Sequence, residues 1–278
     1  MIARHVFGDD KAADQTANSP GHMNADNARK FPLMKRIRRR FTLRARAIQK
    51  AFEHWLGRRS LVGDTEIISR DGFPWMDTLE ANWKTIRAEL EAVLADRDRL
   101  PNLEDLSDTQ RYLSREGTWK SYFFHAYGMR ADENCARCPE TTKLIEQIPD
   151  LKVAYFSILS PGMHIPAHMG AYKGLIRAHL GLIVPEPRDK VRMRVGKEMI
   201  FWREGECVLF DDTFEHEVWN ETDSWRVVLL IDVPRPFPQP LAAINNFVLR
   251  IIEKTPFITD SQKKFRQWEK GFYGEKAA

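Results

Sequence analysis

The sequence predicts a mainly β domain of jelly-roll type with helices before and after it. Between Asp150 and Pro236 seven short runs rich in β-branched and aromatic residues follow one another: "KVAYFSILS", "GLIRAHLGLIV", "KVRMRV", "EMIFW", "ECVLF", "HEVWN" and "WRVVLLIDV". Turn residues separate them, and so many short strands in so little chain close on themselves or pack as a sandwich. Amphipathic helical periods lie on both sides of this block. No apolar stretch approaches the ~18 residues of a membrane-spanning helix.

A chain of 278 residues allows one large domain or two small ones, and 43% hydrophobic content is enough for a core. Residues 1–30 are polar and without period, the composition of a disordered segment. Residues 31–60 read as a basic amphipathic helix. Met34, Ile37, Phe41, Ala45, Ile48, Phe52 and Trp55 recur at steps of three or four on one face. Ten Lys/Arg against one Glu lie in the same segment, so with a total of +4 the remainder of the chain is acidic. Such a helix suits an anionic membrane surface. Docking on its own domain is the bland alternative, and no nucleic-acid motif accompanies the charge. Residues 61–278 then form the main domain, with its β core at about 151–236. Helices are predicted at 78–100, at 139–148 with Pro139 in the first turn, and in the tail segments "LAAINNFVLRIIEKT" and "DSQKKFRQWEKGF". The first residues do not read as a secretory leader. Three cysteines argue for a reducing compartment, so the cytoplasm is expected, with a peripheral seat on the inner membrane if the basic helix binds lipid. Cys135 and Cys138 have zinc-ligand spacing but no second pair, which makes them structural.

Ionisable residues intrude on the β block where a plain core would hold none. His168 follows the turn-like "PGMHIPA". Arg177 and His179 are two apart and share a strand face. His216 and Arg226 begin two later strands, Ser157 interrupts the first, and Asp211, Asp212 and Glu215 cluster before His216. Imidazoles on separate strands bind first-row metals, with open positions suiting non-haem iron. A buried arginine keeps its proton and demands an anion. That anion is either a bound acid or one of the acids Asp211, Asp212 and Glu215.

The stretches "HMG", "RAHLGLIVP", "FWREGE" and "LFDDTFEHEVWN…WRVVLLIDV" resemble the aspartyl/asparaginyl β-hydroxylase family from about Lys152 to Pro236. The resemblance implies a double-stranded β-helix, cupin-like, that uses Fe(II), 2-oxoglutarate and O₂. His168 and His216 match the iron ligands. His168-Met169-Gly170 lacks the carboxylate that the wider superfamily places after its first histidine, so a water fills that position. Asp212 matches the acid that holds it, and Asp212 and His179 are the expected catalytic residues. Arg226 and Ser157 match the residues that bind the distal carboxylate of 2-oxoglutarate. Arg177 and His179 match the lining near the metal end of the co-substrate or the prime substrate. Asp211 and Glu215 lie at the mouth or pair with arginines.

Two substrate classes are known for such proteins. The basic segment, the apolar tail "AAINNFVLRIIEKTPF" and the lack of protein-binding repeats point to an acyl chain of a membrane lipid, ornithine lipid before lipid A. Against it, the hydrophobic N-terminal anchor usual in lipid A hydroxylases is not seen here, and "EHEVWN" is closer to the branch that acts on an aspartyl or asparaginyl substrate in a peptide or amino acid. A cupin-like binding protein without turnover is the non-enzymatic alternative, separable by metal-dependent succinate formation.

Overall fold

Two kinds of strand pattern recur in the chain, and they correspond to two sheets. In the computed structural model, which describes residues 51–106, 113 and 118–274, a six-stranded sheet has the order β2-β1-β3-β10-β5-β8. Its strands are β1 (Trp119–Ala126), β2 (Met129–Arg130), β3 (Val153–Leu159), β5 (Leu175–Ile183), β8 (Cys207–Phe210) and β10 (Arg226–Pro234). A four-stranded sheet has the order β4-β9-β6-β7, from β4 (Met163–His168), β6 (Val191–Val195), β7 (Glu198–Phe201) and β9 (His216–Asn220). All these pairings are antiparallel. From β3 onward successive strands mostly alternate between the sheets, which is the double-stranded β-helix that the sequence predicts.

The patterns follow from what covers each sheet. β3 is buried along its whole length and β10 along all but its last residue, and both read as nearly continuous apolar runs. One face of the large sheet packs on helices, the other lines the barrel. β6 and β9 alternate buried and half-buried residues, because the small sheet shows its outer face to water. The outer core joins Phe124, Phe156, Leu180 and Leu229 of the large sheet to Leu79, Ile86 and Leu90 of two helices, α1 (Trp75–Ala81) and α2 (Trp83–Leu94). Each such fully buried side chain contributes about 1.5–3 kcal/mol. The barrel interior holds Leu159, Met193, Trp202, Phe210, Val218 and Val228.

The predicted helix 78–100 is two helices, starting earlier and ending at Leu94. Asn82 breaks it, donating its side-chain amide to the Thr78 carbonyl. After α3 (Leu103–Leu106) come β1 and β2, a hairpin that the strand count from Asp150 onward leaves out. It extends the sheet beyond β3. Two short helices follow, α4 (Asp132–Arg137) and α5 (Pro139–Ile145), and the tail forms α6 (Leu241–Glu253) and α7 (Pro256–Gly274). None of the described helices is long and apolar enough to cross a membrane.

The chain divides into two compact units, Met1–Arg58 and Arg59–Ala278. In the first, residues 51–57 are helical. The expected disordered stretch 1–30 lies outside the described residues, as does most of the expected basic helix of 31–60.

Candidate active site

His168 ends β4 and His216 begins β9, and the two stand directly opposite each other in the ladder, just past an irregularity after Ile165. Their ring centroids are 4.0 Å apart. The Nδ1–H of His168 donates to the Pro166 carbonyl at 2.9 Å, and that of His216 to the Phe214 carbonyl at 3.0 Å. A carbonyl can only accept, so both rings carry their proton on Nδ1 and keep an unprotonated Nε2. Burial keeps both rings neutral. It lowers His168, and together with the neighbouring His168 it brings His216 down to about 3. Two neutral imidazoles, each oriented by a backbone carbonyl, are a donor set that could hold a metal. Among the described residues no group of three His, Cys, Asp or Glu forms a complete cluster. The pair could therefore hold a metal whose remaining positions are filled by water or ligand.

Gly170 explains the missing carboxylate in steric terms. A Cβ at this position would lie 2.3 Å from Oδ1 of Asp212, and the Gly170 N–H donates to the Asp212 carbonyl at 2.7 Å. Asp212 occupies the space into which any side chain at 170 would point. It is buried, and desolvation raises it to about 6 in spite of Arg177, whose Nη1 lies 3.1 Å from Oδ2. Arg177, expected to line the pocket near the metal end of the co-substrate or the prime substrate, is held by acids of the protein. Its Nε and Nη2 donate to both oxygens of Asp232 at 2.7 and 2.8 Å, so its fork is filled by the protein's own acids. Asp232 stands directly opposite Arg177 on β10.

Arg226, first residue of β10, is in the opposite condition. It is 1% exposed, yet its Nε and Nη1 find no hydrogen-bond partner. Its guanidinium lies over the Trp202 ring at 4.6 Å, and burial lowers it to about 10. His179 is also buried with neither ring nitrogen bonded, and burial with Arg226 nearby holds it well below its usual value. Ser157 lies on the neighbouring β3, whose Leu159 pairs with Arg226. Trp119 donates to the Ser157 oxygen at 3.0 Å, which leaves the hydroxyl proton available. An unpaired buried guanidinium costs several kcal/mol. The donor set of Arg226, Ser157 and His179 therefore fits an anionic ligand, and a carboxylate in particular.

The sequence pattern described as Aspartyl/Asparaginyl beta-hydroxylase matches residues 80–236, more than half of the chain. The chain belongs to the aspartyl/asparaginyl β-hydroxylase family. A Rhizobium tropici protein named ornithine lipid ester-linked acyl 2-hydroxylase is 41% identical over 217 residues, covering 78% of this chain and 77% of that protein. Human aspartyl/asparaginyl beta-hydroxylase is 34% identical over 165 residues, 57% of this chain but 21% of the human protein. Human aspartate beta-hydroxylase domain-containing protein 2 is 33% identical over 58% of this chain and 44% of its own length. The protein is thus an enzyme of the hydroxylase class.

Within this hydroxylase the acid cluster divides by function. Asp211, adjacent to Asp212 and facing the other way, is fully buried. It receives Lys173 Nζ at 2.7 Å, Thr213 N–H at 3.0 Å and the Arg235 guanidinium, while Lys173 also reaches Asp64 at 2.6 Å. Arg235 donates to the Gly63 carbonyl as well, so this network fastens the segment before α1 to the barrel. Glu215 instead pairs on the surface with Arg194. His164 bonds Glu217 and stacks on Trp219, away from the paired histidines. Cys135 and Cys138 are buried free thiols, the latter raised to about 12 by burial, as structural cysteines are. Sequence reasoning missed Asp232, Lys173, Arg235 and Trp119. An acid in the apolar "LLIDV" was a legible sign for the first alone.

Proposed function

We propose that this chain is an Fe(II)- and 2-oxoglutarate-dependent dioxygenase that hydroxylates an acyl chain of a membrane lipid, ornithine lipid first. The observation that carries the dioxygenase reading is Arg226, a buried guanidinium without a carboxylate on the strand next to Ser157. The lipid substrate is supported by the likeness to the Rhizobium tropici acyl 2-hydroxylase, which extends over most of both chains.

In this reading His168 and His216 would hold the iron through Nε2, and Asp212 would orient a water at the coordination position that no carboxylate fills. Iron bound there supplies the activation of O₂ that couples decarboxylation of 2-oxoglutarate to hydroxylation. Arg226 and the Ser157 hydroxyl bind the distal carboxylate, and the neutral His179 between Trp202 and Phe210 closes the wall beside it. The Arg177–Asp232 pair keeps Asp212 in place at the substrate side. The basic segment 31–60 would seat the enzyme peripherally on an anionic leaflet, on its cytoplasmic side.

The test is to load the purified chain with Fe(II) and supply 2-oxoglutarate, with anionic vesicles containing ornithine lipid. Succinate should form, and the acyl chain should gain one oxygen by mass spectrometry. No succinate under any condition would leave a binding protein. The aspartyl/asparaginyl relatives support a second reading, which oxygen gain on an Asp- or Asn-containing peptide in place of the lipid would establish.

A further inference from the structure

A cavity of about 170 Å³ lies between the β1–β3 edge of the large sheet and the first turns of α7. One wall is Phe123, Val153 and Tyr155, and the facing wall is Phe257, Ile258 and Phe265. Its single charged feature is the Arg177–Asp232 pair, the same arginine that holds Asp212 beside Gly170. The polar lining elsewhere is the side chains of Tyr127, Tyr155, Ser261 and Gln262. Gln262 donates its amide to the Ala126 and Tyr127 carbonyls, and Ser261 donates to the Phe257 carbonyl. A mainly apolar cavity that also holds the arginine reaching Asp212 suits an acyl chain. The volume exceeds that of about five water-sized groups, enough for a run of methylenes.

The outer end of the cavity leads to an unusual surface. Phe257 lines the cavity and is also 38% exposed. Just before it, on α6, Ile244, Phe247 and Ile251 are 54%, 63% and 51% exposed at steps of three and four, which places them on one helix face. Arg250 and Lys254 are exposed in the same stretch. An apolar stripe with basic residues beside it complements an anionic bilayer, where the apolar side chains enter the acyl region and the cations meet phosphates.

We propose that this cavity is the acyl-chain site: the chain leaves the bilayer across the α6 stripe, passes Phe257, and ends with its reacting carbon at Arg177. The proposal rests on the lipid reading given above and adds where the chain lies. It is tested without turnover. A sixteen-carbon fatty acid bearing a diazirine at its sixth carbon, the stretch that the cavity would hold, is irradiated with the full-length protein, and adducts are mapped by peptide mass spectrometry. Adducts are expected in residues 119–130 and 256–265. Ser261→Phe, which fills the cavity from α7, should reduce them about tenfold, the equivalent of roughly two buried methylenes. Ala126→Phe fills it from β1 and serves if the first variant melts early. Adducts confined to other peptides, or unchanged labelling in a folded filled variant, would overturn the assignment even if ornithine lipid is hydroxylated. Adducts here in a protein that never oxidises ornithine lipid would uphold the cavity and reject that substrate.

Discussion

Arg177 and Arg226 stand on neighbouring strands of one sheet, and their surroundings are opposite. Arg177 is surrounded by Asp232 and Asp212, which raise its pKa well above the usual arginine value. Arg226 is more deeply buried, has two unbonded nitrogens, and is lowered to about 10. A guanidinium with its fork filled contributes to the fold whether or not ligand is present. One left open in a buried site is stable only if the remaining fold supports it until an anion arrives. The barrel thus has a self-neutralised end at Asp212 and a cationic end at Arg226, and the paired histidines belong between these roles.

The sharpest way to break this comparison is to remove each guanidinium in turn. Arg226→Ala should weaken 2-oxoglutarate binding by about 3–5 kcal/mol, the cost of leaving a buried carboxylate unpaired, while Fe(II) binding persists. Calorimetric titration of the iron-loaded protein reads it, and an unchanged affinity would make Arg226 structural. Arg177→Met should act on stability first. It strands two buried acids, so a loss on the order of 2–4 kcal/mol in denaturant unfolding is expected, part of it recovered by protonating Asp212. Equal losses of co-substrate affinity in both variants would erase the distinction drawn here.

How far the sequence foretells these two ends depends on where each partner comes from. Ser157 and Arg226 stand out because a polar side chain in an apolar run is locally visible, whereas His168 and His216 are singled out by the family resemblance. The jelly-roll is legible for a similar reason, since covered strands such as β10 and half-exposed ones such as β9 carry different patterns. Asp212 is among the partners the sequence offers the arginines, but that Arg177 also pairs with Asp232 is not legible, because Asp232 lies fifty-five residues away and only the register of β5 against β10 brings them together. The same holds for Lys173 and Arg235 around Asp211. Gly170 reads in sequence as a lost ligand, whereas in the fold it is the space that Asp212 fills. The β1–β2 hairpin escapes because "WKSYFFHA" mixes charges with aromatics at a sheet edge that the local pattern does not announce.

A smaller effect tests the Asp212 end by sterics. Gly170→Ala puts a methyl group 2.3 Å from one carboxylate oxygen of Asp212, whose other oxygen Arg177 holds in place, so the backbone or Asp212 must shift. Overpacking of this kind costs about 1–3 kcal/mol. Iron affinity should fall with it, and Asp212→Gly in the same chain should restore the stability but not the site. A Gly170→Ala protein as stable as the parent would show that Asp212 moves freely.

The least effect expected is one of pH on the metal-free protein, and the two ends should contribute with opposite sign. His168, His179 and His216 are all held below the ordinary imidazole value by burial, His216 at about 3. As pH falls through about 6.5, the unfolded chain takes up these protons and the folded one does not, so stability is lost across the window from about 6.5 down toward 3. Asp212 runs the other way. Its folded value of about 6 exceeds the ordinary carboxylate value of 3.8, so below about pH 6 the folded state binds the extra proton and gains stability. Three histidines outweigh one carboxylate, and the net loss between pH 7 and 6 should be about 1–2 kcal/mol in urea unfolding. Asp212→Asn removes the compensating term, so its unfolding free energy should fall more steeply over the same interval. If that variant and the parent share one slope, Asp212 is ionised throughout and Arg177 governs it more strongly than burial does.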